Sequence, residues 1–338
     1  MAKKVGIGII GLGWAGCEHL KHLAADPRVT AVAVCDVNEA RAREVAAQYN
    51  VPGVYTEVKD IVNDPAVDAV AIGTPNFAHA PAAIEALNAG VHVICEKPPA
   101  LNAAEAKAAA AAAKKNNCVL MYALCMRYGA DAHYVRGLVD KGELGEVYYG
   151  KCAYVRRSGI PIGAGGWFID KSRSGGGALI DIGVHALDVT WYMMGSPKPV
   201  AVSGAAFRKF EKAVPKKYTF DVDDASFGFV KFDNGAVLYI EATWAIHLPG
   251  ESYFAIAGTK AGVKLNPLTV FKDDKGTAVD IAPHPPGRDG FDEEDKHFID
   301  CILKKKTPIS SAEEGVQLMQ MLDAIYESSQ TGREVVIK

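Results

Sequence analysis

The sequence predicts an α/β protein of two domains. A doubly wound parallel sheet occupies residues 1–123, and an α/β domain with a large, mostly antiparallel open sheet occupies residues 124–338. Three observations carry that expectation. Through residue 122, short β-branched runs alternate with helical segments, the pattern of parallel strands joined by helical crossovers. After Ala123 the runs change to period-two alternation, with a hairpin signal at Asp233-Asn234-Gly235. A chain of 338 residues is also longer than one hydrophobic core ordinarily serves.

The elements follow in order. "KKVGIGIIG" reads as a buried strand, and a helix runs from about Trp14 to Ala25. "VTAVAVC" is a second strand, and "NEARAREVAAQYN" a second helix with Asn38 as its cap. "VDAVAIG" and "VHVICE" are strands separated by the helical "FAHAPAAIEALNAG". "NAAEAKAAAAAAKKNN", capped by Asn102, is a helix whose alanine content is explained by helix propensity, and "CVLMYA" closes the series. Beyond it, "GEVYYGKCAYVRR", "VAVSGAAFRKF", "FDVDDASFGFVKFDNGAVLYIEATWA" and "SYFAIAGTKAGVKL" read as strands. An apolar helix in "GGGALIDIGVHALDVTWYMMG" is inserted among them, and two helices close the chain near 291–304 and 312–328.

Composition narrows the function. Hydrophobic residues make up 49% and charged residues 23%, with a formal net charge of −3, so nothing draws the chain to nucleic acid or an anionic membrane. The seven cysteines are scattered and form no Cys-x-x-Cys, which argues against a disulfide framework or zinc ribbon and fits a reducing, cytoplasmic setting. The basic, then apolar start "MAKKVGIGIIGLG" reads as a strand rather than a leader, because glycines crowd its core. No apolar run reaches the roughly 18 residues a membrane helix needs.

Motifs supply the chemistry. "GLGWAG" places Gly11, Gly13 and Gly16 in a G-x-G-x-x-G between a strand and a helix, with Trp14 and Ala15 inside it. That context predicts a Rossmann dinucleotide-binding domain, with a pyrophosphate against the helix N-terminus. Asp36 lies 20 residues after Gly16, where a carboxylate accepts hydrogen bonds from the ribose hydroxyls of NAD and repels the extra phosphate of NADP. No arginine immediately follows it. Ligands of such sheets bind at strand carboxyl ends. "GTPNFAHA" puts Thr74, Pro75, Asn76 and His79 at one such end, and "CEKPPA" puts Glu96, Lys97 and Pro98 at another. Position alone leaves open whether Glu96–Lys97 serves the site or is a solvated pair. In the apolar helix, Asp181, His185 and Asp188 fall at spacings of four and three, on one helical face.

Together, "GLGWAG", "CDVN", "GTPNFAHA", "EKPPA" and "GGGALIDIGVHALDVTWYMMG", in that order, resemble the glucose–fructose oxidoreductase / inositol dehydrogenase family, Gfo/Idh/MocA, over essentially the whole chain. The resemblance implies hydride exchange between a nicotinamide and a carbinol carbon of a sugar, cyclitol or related polyol. It implies Lys97, Asp181 and His185 as the catalytic trio. Asp188 lies outside that trio and reads as a helix-face or interdomain ionic contact. The resemblance also suggests Trp167 near the cofactor, and Arg127 joins the expected cofactor contacts. Tyr154, Arg157 and Trp167 are expected to meet substrate, since aromatic and arginine groups near a glycine-rich loop suit hydroxyl-rich ligands. Asp181 and His185 also have the spacing of two metal ligands, but no third ligand stands at a telling distance, and no metal is expected. Two rival activities remain open: transient oxidation by bound NAD, as in glycoside cleavage or epimerisation, and a non-catalytic NAD-binding regulator. The expected partners are a small carbohydrate or polyol and a second copy of the chain, in a homodimer or homotetramer formed through the second-domain sheet.

Overall fold

In the computed structural model, residues 4–337 are described; Met1 to Lys3, the start of the basic segment, and Lys338 lie outside them. The chain forms two compact units, residues 1–125 with 289–316, and residues 126–288 with 317–338. The expected boundary near 123 falls two residues from the first division. The segment 289–316, which the sequence reading assigned to the second domain, packs with the first unit.

The first unit alternates β1 (Val5–Ile10), α1 (Trp14–Ala25), β2 (Val29–Cys35), α2 (Glu39–Tyr49), β3 (Gly53–Tyr55), α3 (Val58–Val62), β4 (Ala69–Ile72), α4 (His79–Asn88), β5 (His92–Glu96), α5 (Ala103–Asn116) and β6 (Leu120–Ala123). The strands lie in the order β3-β2-β1-β4-β5-β6, every pair parallel. The order reverses between β1 and β4, where a doubly wound sheet opens a crevice at its strand carboxyl ends. β1 and β4 are buried throughout, as strands covered by helices on both faces must be. Both expected caps form: Asn38 accepts the Arg41 N–H at 3.3 Å and Asn102 that of Glu105 at 3.0 Å.

The second unit holds α6 (Ala130–Asp140), β7 (Val147–Val155), the short α7 (Lys171–Ser174), α8 (Val184–Met193), β8 (Pro199–Phe207), β9 (Ala225–Phe232), β10 (Val237–Thr243), β11 (Glu251–Gly258), β12 (Ala261–Leu265), β13 (Thr269–Asp274) and β14 (Thr277–Ile281). α9 (Gly290–Lys304) returns to the first unit, α10 (Ala312–Thr331) carries the second division, and β15 (Val335–Val336) ends the chain. The nine-stranded sheet runs β14-β13-β12-β11-β7-β10-β9-β8-β15 and is antiparallel except at β7–β10. The predicted hairpin joins β9 to β10, with Gly235 at φ 85°. α8 covers one face, against β7, β10 and β11. Cross-strand register puts Phe227, Phe229, Tyr239, Tyr149, Tyr253 and Phe271 together on the other face.

Candidate active site

At the nucleotide end, the glycines divide by role. Gly11 has φ 83°, and a Cβ there would lie 2.7 Å from the Thr74 nitrogen. A Cβ on Gly16 would overlap the Gly11 carbonyl oxygen, so that glycine permits α1 to meet β1. Gly13 differs: the nearest atom to a Cβ is the Gly73 oxygen at 4.0 Å. Space is therefore kept at the glycine that precedes α1. No side chain caps α1, and no acid occupies its first turn, so its N-terminal amides suit an anion. Asp36 follows the last residue of β2. Its carboxylate accepts the Leu12 N–H at 2.8 Å and the Asn38 N–H at 2.9 Å, which fixes a negative charge beside the glycine loop. The donor set fits the dinucleotide that the motif implies.

Trp14 stands 69% exposed, its ring edge-on to Phe291 of α9 at 5.6 Å, and Ala15 is half-buried. Thr74 and Pro75 are half-buried at the end of β4, and Asn76 is buried. His79 corrects an expectation. Its imidazole is 1% exposed, with Nδ1 2.8 Å from the Pro98 oxygen and Nε2 2.8 Å from the Thr74 oxygen. Burial lowers its pKa. His79 thus ties the loop after β4 to the loop after β5 and has no surface for a cofactor. Glu96, the last residue of β5, is also buried and so is not a solvated partner of Lys97. It accepts the Lys97 N–H at 3.0 Å, and its other oxygen lies 3.6 Å from His19 Nε2. Lys97 itself is half-buried where the chain leaves the sheet.

In the second unit, three glycines lead into the apolar helix. Gly175, at φ 83°, ends α7. A Cβ on Gly177 would overlap the Asp223 carbonyl oxygen. That close approach lets Asp223 cap the helix: its carboxylate accepts the N–H groups of Gly177 at 2.7 Å and Leu179 at 3.0 Å, together with the hydroxyls of Ser226 and Tyr326. The helix opens with a π turn over Leu179–Gly183 before α8 continues it, a distortion that frequently accompanies functional sites.

Asp181, His185 and Asp188 separate. From Gly176 to Met194 every residue is buried except Asp181 and His185, which are half-buried. Asp181 accepts the indole N–H of Trp244 at 2.9 Å. Trp244 is fully enclosed in a cluster with Ile169, Ala178, Ile182, Val214, Phe220 and Val222. Asp188 is 1% exposed and pairs with Arg127, whose Nε lies 3.0 Å from both carboxylate oxygens and whose Nη2 lies 2.6 Å from one. The Arg127 guanidinium also lies over the rings of Trp191 and Tyr192. The cofactor contact expected of Arg127 is therefore corrected: a guanidinium with 0% exposure neutralises Asp188 inside the unit. Asp188 is an ionic contact, as expected, within one unit.

Trp167 is half-buried in the turn Ala164–Ile169, stacked on Phe168 at 3.9 Å. Tyr154 packs against the Trp244 cluster, and exposed Arg157 lines a cavity of about 490 Å³ with Ile160, Phe210, Val214 and His247. Sequence reasoning missed Trp244 and Asp223. "ATWA" at a strand end carried the only signal for the first, and the second needed knowledge of where "VDD" meets the glycines.

Residues 5–124 match the model of an oxidoreductase family with an NAD-binding Rossmann fold, and residues 136–337 match that family's C-terminal alpha/beta domain. The chain is 31% identical to D-glucoside 3-dehydrogenase of Escherichia coli (strain K12), across 97% of this chain and 96% of that one. It is 29% identical to scyllo-inositol 2-dehydrogenase (NAD(+)) of Bacillus subtilis (strain 168), across 91% and 89%. A solved structure of levoglucosan dehydrogenase in complex with NADH and levoglucosan superimposes with a TM-score of 0.88 at 28% identity, covering 99% of both chains.

Proposed function

This chain belongs to the Gfo/Idh/MocA family of oxidoreductases, and we propose that it transfers a hydride between NAD and a carbinol carbon of a sugar, cyclitol or glycoside. One observation carries the reading: in a helical segment sealed from Gly176 to Met194, Asp181 and His185 alone stay accessible. A sealed helix has no packing reason to hold an accessible acid and imidazole, and ionisable side chains so placed suit proton transfer.

Oxidation of an alcohol removes a hydroxyl proton and a hydride from one carbinol group. NAD, when bound, supplies the hydride acceptor. His185 takes the hydroxyl proton in oxidation and returns it in reduction. Asp181, held by the Trp244 indole, orients the imidazole and stabilises its protonated form. Lys97 stabilises the developing alkoxide with its ammonium charge. Gly13 leaves the backbone open to the pyrophosphate, Gly11 and Gly16 shape the turn that presents it, and Asp36 meets the adenosine ribose. NAD is favoured over NADP because the Asp36 charge opposes the extra 2′-phosphate of NADP. The nearby Arg41 is already engaged by Leu12 O, Glu44 and Cys17. Trp167, Tyr154 and Arg157 are the residues we assign to substrate.

A panel of inositols, aldoses, levoglucosan and methyl glucosides, run with NAD and with NADP, tests this. The expected result is NADH accumulation with at least one polyol, faster than NADPH formation. Glycoside cleavage without net NADH would replace the reading with transient oxidation, and silence across the panel would remove it.

We also propose that a second copy covers the aromatic face of the nine-stranded sheet, where Phe229 and Phe271 are 37% and 40% exposed. Light scattering should give at least twice the mass of one chain; a monomer at micromolar concentration would contradict this.

A further inference from the structure

Four ionisable side chains meet in the interior of the first unit: His19 of α1, Glu96 at the end of β5, and Glu294 and Asp295 of α9. Their exposures are 1%, 7%, 0% and 2%. His19 Nδ1 lies 2.7 Å from Asp295 Oδ1, and its Nε2 lies 3.6 Å from Glu96 Oε1. Burial disfavours a charge on His19, but the carboxylate of Asp295, and then that of Glu96, outweigh it and hold the imidazole pKa well above its ordinary value. Burial likewise pushes the Glu96 pKa up, yet His19 and Lys97 bring it below the ordinary carboxylate value. Burial raises the pKa of Asp295 and, more strongly, that of Glu294. The imidazole therefore sits between two carboxyl groups, at 2.7 Å from Asp295 and 3.6 Å from Glu96. Such an arrangement is weak as a source of stability, because desolvation consumes most of the attraction. Its geometry leads elsewhere. The second oxygen of Glu96 accepts the Lys97 N–H at 3.0 Å, and His79 lies 2.8 Å from the oxygen of Pro98. Two buried side chains thus grip the backbone on either side of Lys97.

We propose that His19 and Asp295 are positioning residues for Lys97, acting through Glu96. The proposal rests on the assignment of Lys97 to the alkoxide. Asp295 fixes the His19 ring, the ring holds the Glu96 carboxyl in place, and that carboxyl fixes the amide from which the lysine side chain springs. Pro98 has no N–H to share in this anchoring. With His19 removed, a buried carboxylate loses its counter-charge and must protonate or turn away, which loosens the Lys97 backbone.

The test is a double-mutant cycle on the full-length protein, using the polyol that gives the fastest NADH formation in the panel above. His19→Gln should lower kcat about 10²-fold, the scale of a misplacement on the order of 1 Å, while NADH affinity and the melting profile show a folded protein. In a Lys97→Met background, followed under single-turnover conditions, the same substitution should add no further loss, because both changes remove one effect. If His19→Gln does not fold, Asp295→Asn takes its place in the same cycle. An undiminished kcat in the folded variant would overturn the proposal and leave the lysine assignment standing. So would a loss that multiplies with that of Lys97→Met, since the cluster would then act independently of the lysine. Full kcat in Lys97→Met alone would remove the lysine assignment, and the proposal with it.

Discussion

Gly177 shows how one missing methyl group supports the site. A Cβ there would meet the Asp223 backbone, both its carbonyl and its nitrogen at 2.9 Å, and backbone cannot swing aside as a side chain can. Gly177 precedes the helix, so Gly177→Ala gains only about 0.4–1 kcal/mol from the less flexible unfolded chain but incurs overpacking of roughly 1–3 kcal/mol. Overpacking against backbone should win, so the variant should melt at a lower temperature and lose turnover as the cap on Leu179 slackens. An unchanged or higher melting temperature would show that the cap tolerates displacement. At this scale the sequence was unevenly legible. The dinucleotide glycines, Asp36 and the caps Asn38 and Asn102 announce themselves through local spacing. The difference between Asp188 and His185 does not, because Arg127, which neutralises Asp188, lies 61 residues earlier in the chain. His79 misleads for a similar reason: its position at a strand end suggests a ligand contact, whereas its nitrogens face carbonyl oxygens of its own unit.

Among elements, most of the periodic ones were readable and the polar or short ones were not; the amphipathic α6, which buries Ala132, Val135 and Leu138, was also missed. The strand–helix alternation through β6 and the β9–β10 hairpin follow from hydrophobic period and turn chemistry. β13 and β14 escaped because most of their residues are exposed, which leaves no alternation between a buried and a wet face. β3 and α3, at three and five residues, are too short for periodicity to register. The π turn over Leu179–Gly183 was also invisible, since a run of apolar residues does not reveal one residue inserted into a turn. A uniform α-helical spacing puts Asp181, His185 and Asp188 on one face. In the structure the first two stay accessible while the third is sealed.

Across the whole molecule, the order of a dinucleotide-binding unit followed by a mixed sheet was legible from the change of pattern near residue 123. The return of α9 to the first unit was not, because chain order does not disclose which core a late amphipathic helix joins. No helix among the described residues is long and apolar enough to cross a membrane. We propose that His185 handles the substrate's proton during hydride transfer. His185→Ala tests it most directly, with NADH affinity and kcat measured on the same preparation. NADH binding should be retained while kcat falls about 10²–10⁴-fold, the contribution expected of one positioned proton-transfer group. A variant that binds NADH and turns over at the original rate would contradict it.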